Sequence, residues 1–110
     1  ETRETDIYIV NKGIHAEILA MELSRKLRNY DLIAELDLSG ASFSKQFKKA
    51  NKLKSKSIIV IGDDEAAKNT FVIRLFNNDN SENKEEIISI KDNIKLEKWI
   101  KSYLILDKNL

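Results

Sequence analysis

An apolar run without alternation, Ser57-Ile58-Ile59-Val60-Ile61, lies just past the middle of this 110-residue chain and ends at Gly62. A run of this length that is rich in β-branched residues and closed by glycine is typical of a strand covered on both faces of its sheet. We therefore expect this strand to lie at the centre of the sheet, and we interpret the rest of the chain around it.

Strands and helices alternate on the N-terminal side of the central strand. The sequence predicts a first strand at Ile7-Tyr8-Ile9-Val10, an amphipathic helix from Ile14 to Tyr30, and a second strand from Leu32 to Leu38. A second helix begins after Ser42, whose hydroxyl can cap the free backbone N–H groups of the first turn. Its predicted buried stripe consists of Phe43, Phe47, Ala50 and Leu53.

The C-terminal side adds two strands and a short helix. The strands run from Thr70 to Phe76 and from Glu85 to Ile90, joined by the polar loop Asn77 to Asn83, and the helix contains Ile94 and Trp99. The order β-α-β-α-β-β-β-α predicts an α/β layered domain whose first three strands are parallel. We expect one domain over residues 1–110, with its core at about residues 6–105.

The composition excludes several classes of catalytic site. The chain has no cysteine and a single histidine, His15, which excludes disulfides, thiolate nucleophiles and a histidine pair for zinc. Its three glycines are scattered, so no glycine-rich phosphate loop is present. The carboxylates of Asp63, Asp64 and Glu65 could hold magnesium, but we favour a solvated turn or a base-reading site. We expect no catalytic residue and no metal site.

The sequence also carries expectations about location. No apolar run is long enough to cross a bilayer, and the first residues do not resemble a signal peptide, so we expect a soluble, cytoplasmic protein. The chain does not begin with methionine, which favours a fragment of a longer product.

Charge is distributed unevenly although the net charge is only +1. Between Ser42 and Ser57 there are six lysines and no acidic residue. Four of them recur at i, i+3, i+4 and i+7 along one side of the second predicted helix: Lys45, Lys48, Lys49 and Lys52. Such a stripe is more often a solvated face, but it also fits a nucleic-acid phosphate backbone.

One continuous segment resembles a known family. It reads Asp37-Leu38-Ser39-Gly40-Ala41-Ser42-Phe43-Ser44-Lys45-Gln46-Phe47-Lys48-Lys49-Ala50-Asn51-Lys52-Leu53, and it is similar to the stretch of histidyl-tRNA synthetases that leads from the second strand into the second helix. The acidic sequence Gly62-Asp63-Asp64-Glu65 and the strand from Thr70 to Arg74 follow at matching distances. The resemblance spans about Asp6 to Leu104 and identifies the chain as a class II synthetase anticodon-binding domain, a domain that threonyl-, prolyl- and glycyl-tRNA synthetases share.

The resemblance implies a fold and a function. The implied fold is a three-layer α/β/α domain with a mixed five-stranded sheet and three helices, and the implied function is recognition of tRNA(His) through its anticodon, expected to be GUG. Glu65 and Arg74 would read base edges, with Gln46 and Lys49 close to the anticodon loop. The complete set of implied tRNA-binding residues is Ser42, Lys45, Gln46, Lys48, Lys49, Lys52, Glu65 and Arg74.

The resemblance also implies what the chain lacks. Catalysis, with its ATP and magnesium, would belong to a separate catalytic domain of a homodimeric parent enzyme, and the domain itself would need no cofactor and bind neither DNA nor a membrane. The alternatives are a protein-interaction or regulatory module of the same fold that does not aminoacylate, and the anticodon domain of a threonyl-, prolyl- or glycyl-tRNA synthetase. A small phosphate-signalling domain fits less well, because Asn11-Lys12-Gly13 stands where an acidic pocket is needed.

Overall fold

The computed structural model describes residues 4–76 and 84–105, and its elements follow the predicted order with one addition. The strands are β1 (Ile7–Asn11), β2 (Ala34–Leu36), β3 (Ser57–Ile61), β4 (Thr70–Leu75) and β5 (Glu85–Ser89). The helices are α1 (Ile14–Arg28), α2 (Phe43–Lys52), α3 (Asp63–Lys68) and α4 (Asn93–Trp99), which continues into a π-helical segment, Ile100–Leu104. The addition is α3, where the sequence predicted a turn.

The sheet has the order β2-β1-β3-β4-β5. β1 is parallel to both β2 and β3, whereas β4 is antiparallel to β3 and to β5. The predicted parallel arrangement of the first three strands is therefore confirmed, and β3 is the central strand. β2 is shorter than predicted, and the predicted loop from Asn77 to Asn83 lies outside the described residues.

Two apolar cores, one on each face of the sheet, make the domain three-layered. The larger core lies between the sheet and the helices α1 and α4, and the smaller lies under α2. β3 contributes to both, because Ile59 belongs to the larger core and Ile58 to the smaller one. The absence of alternation in the apolar run of β3 thus has the expected cause, burial on both faces.

The buried stripe of α2 differs from the prediction. Gln46 and Ala50 are its buried residues, whereas Phe43 and Phe47 are half-buried. Leu53 is 39% exposed, because α2 ends at Lys52 and Leu53 has already left the buried face as its C-cap. The predicted cap at the other end is confirmed, since the Ser42 hydroxyl accepts a hydrogen bond from the backbone N–H of Lys45 at 3.3 Å.

A buried tyrosine–aspartate pair fixes the end of β2 to β1. The Tyr8 hydroxyl donates to Asp37 Oδ2 at 2.6 Å, and Asp37 Oδ1 accepts from both the backbone N–H and the hydroxyl of Ser39. Burial acts to raise the pKa of Asp37, but the hydrogen bonds from Ser39 and Tyr8 and the charge of Lys49 outweigh it and hold the pKa below its ordinary value. Burial, together with the Asp37 carboxylate, raises the pKa of Tyr8.

The substitution Asp37→Asn should lower the free energy of unfolding at neutral pH by about 2 kcal/mol, because it removes a buried, charge-assisted acceptor. Because the pKa of Asp37 is lowered in the folded state, its carboxylate stabilises the fold fully above the ordinary pKa of 3.8. This stabilisation is lost as the pH falls through the folded-state pKa. Urea denaturation at neutral pH and in acid should show the difference from the wild type shrinking in acid. The exposed Glu35→Gln serves as the control, and a difference that persists unchanged in acid would contradict this account.

Candidate nucleic-acid interface

One side of the antiparallel pair β4 and β5 is left uncovered by the described residues 4–76 and 84–105. Three cross-strand pairs share this side: Thr70 with Ser89, Val72 with Ile87, and Arg74 with Glu85. We call these six residues the open face. The alternate residues Phe71, Ile73 and Ile88 point to the opposite side and belong to the larger core. Ile87 is 62% exposed because α2 packs over β1 and β3 and does not reach β5.

Arg74 is held at one end of the open face by two contacts. Its guanidinium carbon lies 5.1 Å from the centroid of the Phe47 ring, and its Nη1 lies 3.7 Å from Glu85 Oε1. Phe47 is itself packed between Phe43 and Phe76, with ring centroids 6.4 and 6.5 Å away. The side chain of Arg74 remains 40% exposed, so a guanidinium fixed in one plane is accessible to a ligand.

Glu65 lies at the other end of the open face. It belongs to the first turn of α3, and its Oε1 accepts a hydrogen bond of 2.7 Å from the backbone N–H of Gly62. The half-buried side chain lines a recess of about 110 Å³. The other residues around this recess are Asp64, Lys68, Thr70, Val72 and Ile87.

The two predicted base-reading residues lie toward opposite ends of the open face. Glu65 lines its recess with Thr70, and Arg74 is four residues further along β4, about 13 Å at the rise of an extended strand. Arg74 lines a second recess, of about 290 Å³, with Phe76, Lys84 and Glu85 among its walls. The geometry therefore provides two separate positions along one face.

The lysine stripe lies on the exposed surface of α2. Lys45 and Lys49 are each two positions from Phe47, about 200° around the helix, so they project away from the flank that contacts Arg74. The effect of the Lys49 charge on the pKa of Asp37 places that ammonium group on the β2 side. Lys48 and Lys52 are exposed, as are Lys45 and Lys49. Lys45 and Lys49 thus lie on the flank of α2 away from the open face, whereas Lys48, about 100° around the helix from Phe47, projects from its outer surface.

Gln46 has a structural role that conflicts with its expected contact with RNA. It is 1% exposed, and its Nε2 donates to the backbone oxygens of Asn11 and Ala41, both at 2.8 Å. Its Oε1 accepts from the backbone N–H of Asn11 at 2.9 Å. Its amide is therefore fully engaged within the domain. Ser42 is exposed, but its hydroxyl serves as the cap of α2.

Phe47, Val72 and Ile87 lie on or beside the open face, although the sequence analysis assigned them no role in binding. Phe47 was assigned only to the core, and the two aliphatic residues were interpreted simply as strand residues. The alternation of residues along β4 places Val72 on the same side as Thr70 and Arg74, and this pattern could have indicated its position from the sequence. This side of the two strands is accessible because α2 lies over β1 and β3. The alternation of residues along a strand does not show where a helix packs.

The remaining candidates form no metal site. Within residues 4–76 and 84–105, no group of three or more histidine, cysteine, aspartate or glutamate side chains is arranged to hold a metal ion. His15 is exposed near the start of α1 and lines a groove of about 710 Å³ with Glu22 and Asp63 among its walls. Among the described helices, none has the length and apolar character needed to span a membrane.

Comparison with known proteins agrees with this geometry. The family described as "Anticodon binding domain" matches residues 6–98. The histidine–tRNA ligase of Prochlorococcus marinus subsp. pastoris is 92% identical over all 110 residues, which cover 26% of that protein. The histidine–tRNA ligase of Rippkaea orientalis is 49% identical over 69 residues, which are 63% of this chain and 16% of that protein. The chain thus spans about a quarter or less of the length of these relatives.

Solved structures show the same fold. The apo histidyl-tRNA synthetase of S. aureus superposes with a TM-score of 0.70 at 27% identity, over 84% of this chain and 26% of that one. The RNA binding domain of threonyl-tRNA synthetase from Cryptosporidium parvum gives the same TM-score at 18% identity, over 84% of this chain and 22% of that one, which shows the shared fold alone. The resemblance found in the sequence is confirmed: the chain belongs to the anticodon binding domain family, in the form found in histidine–tRNA ligases.

Proposed function

We propose that this domain binds the anticodon loop of tRNA(His) on the open face and serves as the RNA-recognition part of a histidine–tRNA ligase. The observation that carries the proposal is the pair of charged side chains at the two ends of one uncovered, partly apolar strand pair. Arg74 is fixed there by Phe47 and Glu85, and Glu65 by its bond to Gly62. Groups held in place before binding lose less conformational entropy when a ligand arrives.

The chemistry of the two ends suits different base edges. The guanidinium of Arg74 presents a planar pair of donors that match acceptors such as O6 and N7 of guanine. The carboxylate of Glu65 accepts only, so it selects an edge with N–H donors. Anticodon bases are unstacked and expose their Watson–Crick edges, so two neighbouring bases can each meet one end of the open face.

The lysine stripe of α2 supplies a separate contribution to RNA affinity that does not depend on base sequence. Lys45, Lys48, Lys49 and Lys52 attract the phosphate backbone and set its position, while the open face inspects bases. Because the net charge of the chain is only +1, this local concentration of lysines must provide most of the attraction.

The rest of the ligase would supply the reaction. We assign activation of histidine by ATP and magnesium, and transfer to the tRNA end, to the three quarters of the relatives' length that this chain does not cover. In this proposal the domain holds no cofactor or metal of its own, contacts neither DNA nor a membrane, and acts in the cytoplasm within a homodimeric enzyme. The relatives compared are named histidine–tRNA ligases, which does not favour the alternative of an interaction module without aminoacylation.

Replacing Arg74 by lysine tests whether the planar pair of guanidinium donors contributes to RNA binding. Arg74→Lys keeps the charge but loses the planar pair of donors, so binding of a labelled tRNA(His) anticodon stem-loop should weaken by about tenfold, the value of one good bidentate base contact. Fluorescence anisotropy measures the dissociation constant, with Arg28→Lys on the exposed surface of α1 as the control. Equal affinity of the wild type and Arg74→Lys would remove Arg74 from base recognition.

Replacing Glu65 by glutamine tests the acceptor without removing the cap of α3. The glutamine carbonyl can still accept from the Gly62 N–H, but its amide adds a donor and loses the charge, so affinity should fall by about tenfold for the cognate loop. The same binding assay applies, with Glu17→Gln on α1 as the matched control. If affinity and discrimination between loop sequences are both unchanged, Glu65 does not read a base.

The contribution of the lysine stripe to RNA affinity should depend on salt concentration and not on the base sequence of the RNA. Lys48→Ala should weaken binding of cognate and non-cognate stem-loops alike, and reduce the slope of log affinity against log salt by about 0.7–0.9 for each phosphate that the lysine neutralises in the wild type. A titration in increasing KCl measures the slope, and the exposed Lys98→Ala on α4 serves as the control. An unchanged slope in Lys48→Ala would place the RNA backbone elsewhere.

A further inference from the structure

The middle of the open face is an exposed aliphatic pair. Ile87 is 62% exposed and lies directly across from the half-buried Val72. Backbone hydrogen bonds join Leu75 to Lys84 and Asn69 to Ile90, so by the alternation of an antiparallel ladder Val72 and Ile87 form a non-hydrogen-bonded pair. Side chains approach more closely at such pairs, so the two residues make one continuous apolar surface.

Polar groups surround this surface at both ends. On one side are the hydroxyl of Thr70 and the recess that contains Glu65 and Lys68. On the other side are Arg74 and Glu85. An apolar floor with a polar recess at one end is complementary to a flat heterocycle, which has an apolar face and a polar edge.

The aliphatic pair is too small to form a protein–protein interface by itself. A specific protein–protein interface buries roughly 1,000 Å² or more, far beyond the area of two aliphatic side chains. The free edge of β5 is also not a simple template for an added strand, because Lys95 Nζ already donates to the outward-facing oxygen of Ile87 at 3.0 Å.

We propose that Val72 and Ile87 form the floor on which the flat face of one unpaired anticodon base lies. This inference rests on the proposed function and adds a stacking position to it. A base on the floor has one edge toward the Glu65 recess. Arg74 is two residues along β4 from Val72, about 7 Å away, so it receives the adjacent nucleotide.

Ring currents provide a direct test. In methyl-labelled protein titrated with the tRNA(His) anticodon stem-loop, the Ile87 methyl resonances should move upfield, because a base stacked on them shields the methyl protons. Ile94 is the internal control: it is 80% exposed but lies on α4, which packs against the opposite face of the sheet. Stem-loops with a single abasic site at each anticodon position identify the stacked base, since the upfield shift should disappear with only one of them.

Variants test the same contact by affinity. Ile87→Ala should weaken binding by about fivefold, at the lower end of what base stacking contributes, and Ile87→Phe should tighten it, because a ring stacks better than an aliphatic chain. Ile94→Ala should have no effect. Tightening by Ile87→Phe is not expected of a merely structural residue, and thermal unfolding of each variant checks that the fold is kept.

The outcomes separate this inference from the proposed function. If the RNA shifts the amide resonances of Glu65 and Arg74 but leaves the Ile87 methyls unmoved, the floor is wrong and the open face still binds RNA. If only resonances of α2 respond, or no resonance responds at all, the open face does not bind the loop and both proposals are overturned.

Discussion

The position of α2 over the sheet depends on one buried amide. Gln46 bonds to both backbone groups of Asn11 at the end of β1 and to the carbonyl of Ala41 before the helix begins. These three hydrogen bonds satisfy a polar side chain that is otherwise fully buried, and they set where the helix lies. They hold α2 over β1 and β3, which brings Phe47 under Arg74 and leaves Val72 and Ile87 uncovered. An amide whose hydrogen bonds lie within the domain thus determines which part of the sheet is left accessible.

The same placement separates two kinds of contact. Lys45 and Lys49 lie on the flank of α2 away from the open face, and the diameter of a helix with its side chains is about 10 Å, so an RNA that contacts both these lysines and the open face would pass over α2. A closed duplex offers few accessible base edges, whereas a loop can place its backbone on one flank and extend its bases over the other. In the proposed mode of binding, geometry therefore favours a loop, as does the chemistry of the individual contacts.

The sequence predicted the elements of the fold better than the partners of individual side chains. The run from Ile58 to Ile61 indicated the central strand because burial on both faces leaves a direct mark on composition. Gln46 was placed near the anticodon loop because the resemblance implied that position, and no pattern in the sequence shows that its partners are backbone atoms of Asn11 and Ala41. The short helix α3 was missed because its acidic first turn resembled a solvated loop. Its Glu65 caps that helix through a bond to Gly62, which only the three-dimensional structure shows.

An exposed isoleucine on an edge strand is normally a hazard, because it invites pairing with another chain. The structure limits this hazard at the edge of β5 and not on its face. Glu85 and Glu86 place charge on the strand, and the ammonium of Lys95 occupies the outward carbonyl of Ile87. The side chain of Ile87, however, remains accessible on the open face, between the carboxylate of Glu65 at one end and the guanidinium of Arg74 at the other. Because the edge of β5 is protected and its open face is not, the structure favours a ligand that approaches perpendicular to the sheet, as a stacking base does. It disfavours a strand that would extend the sheet.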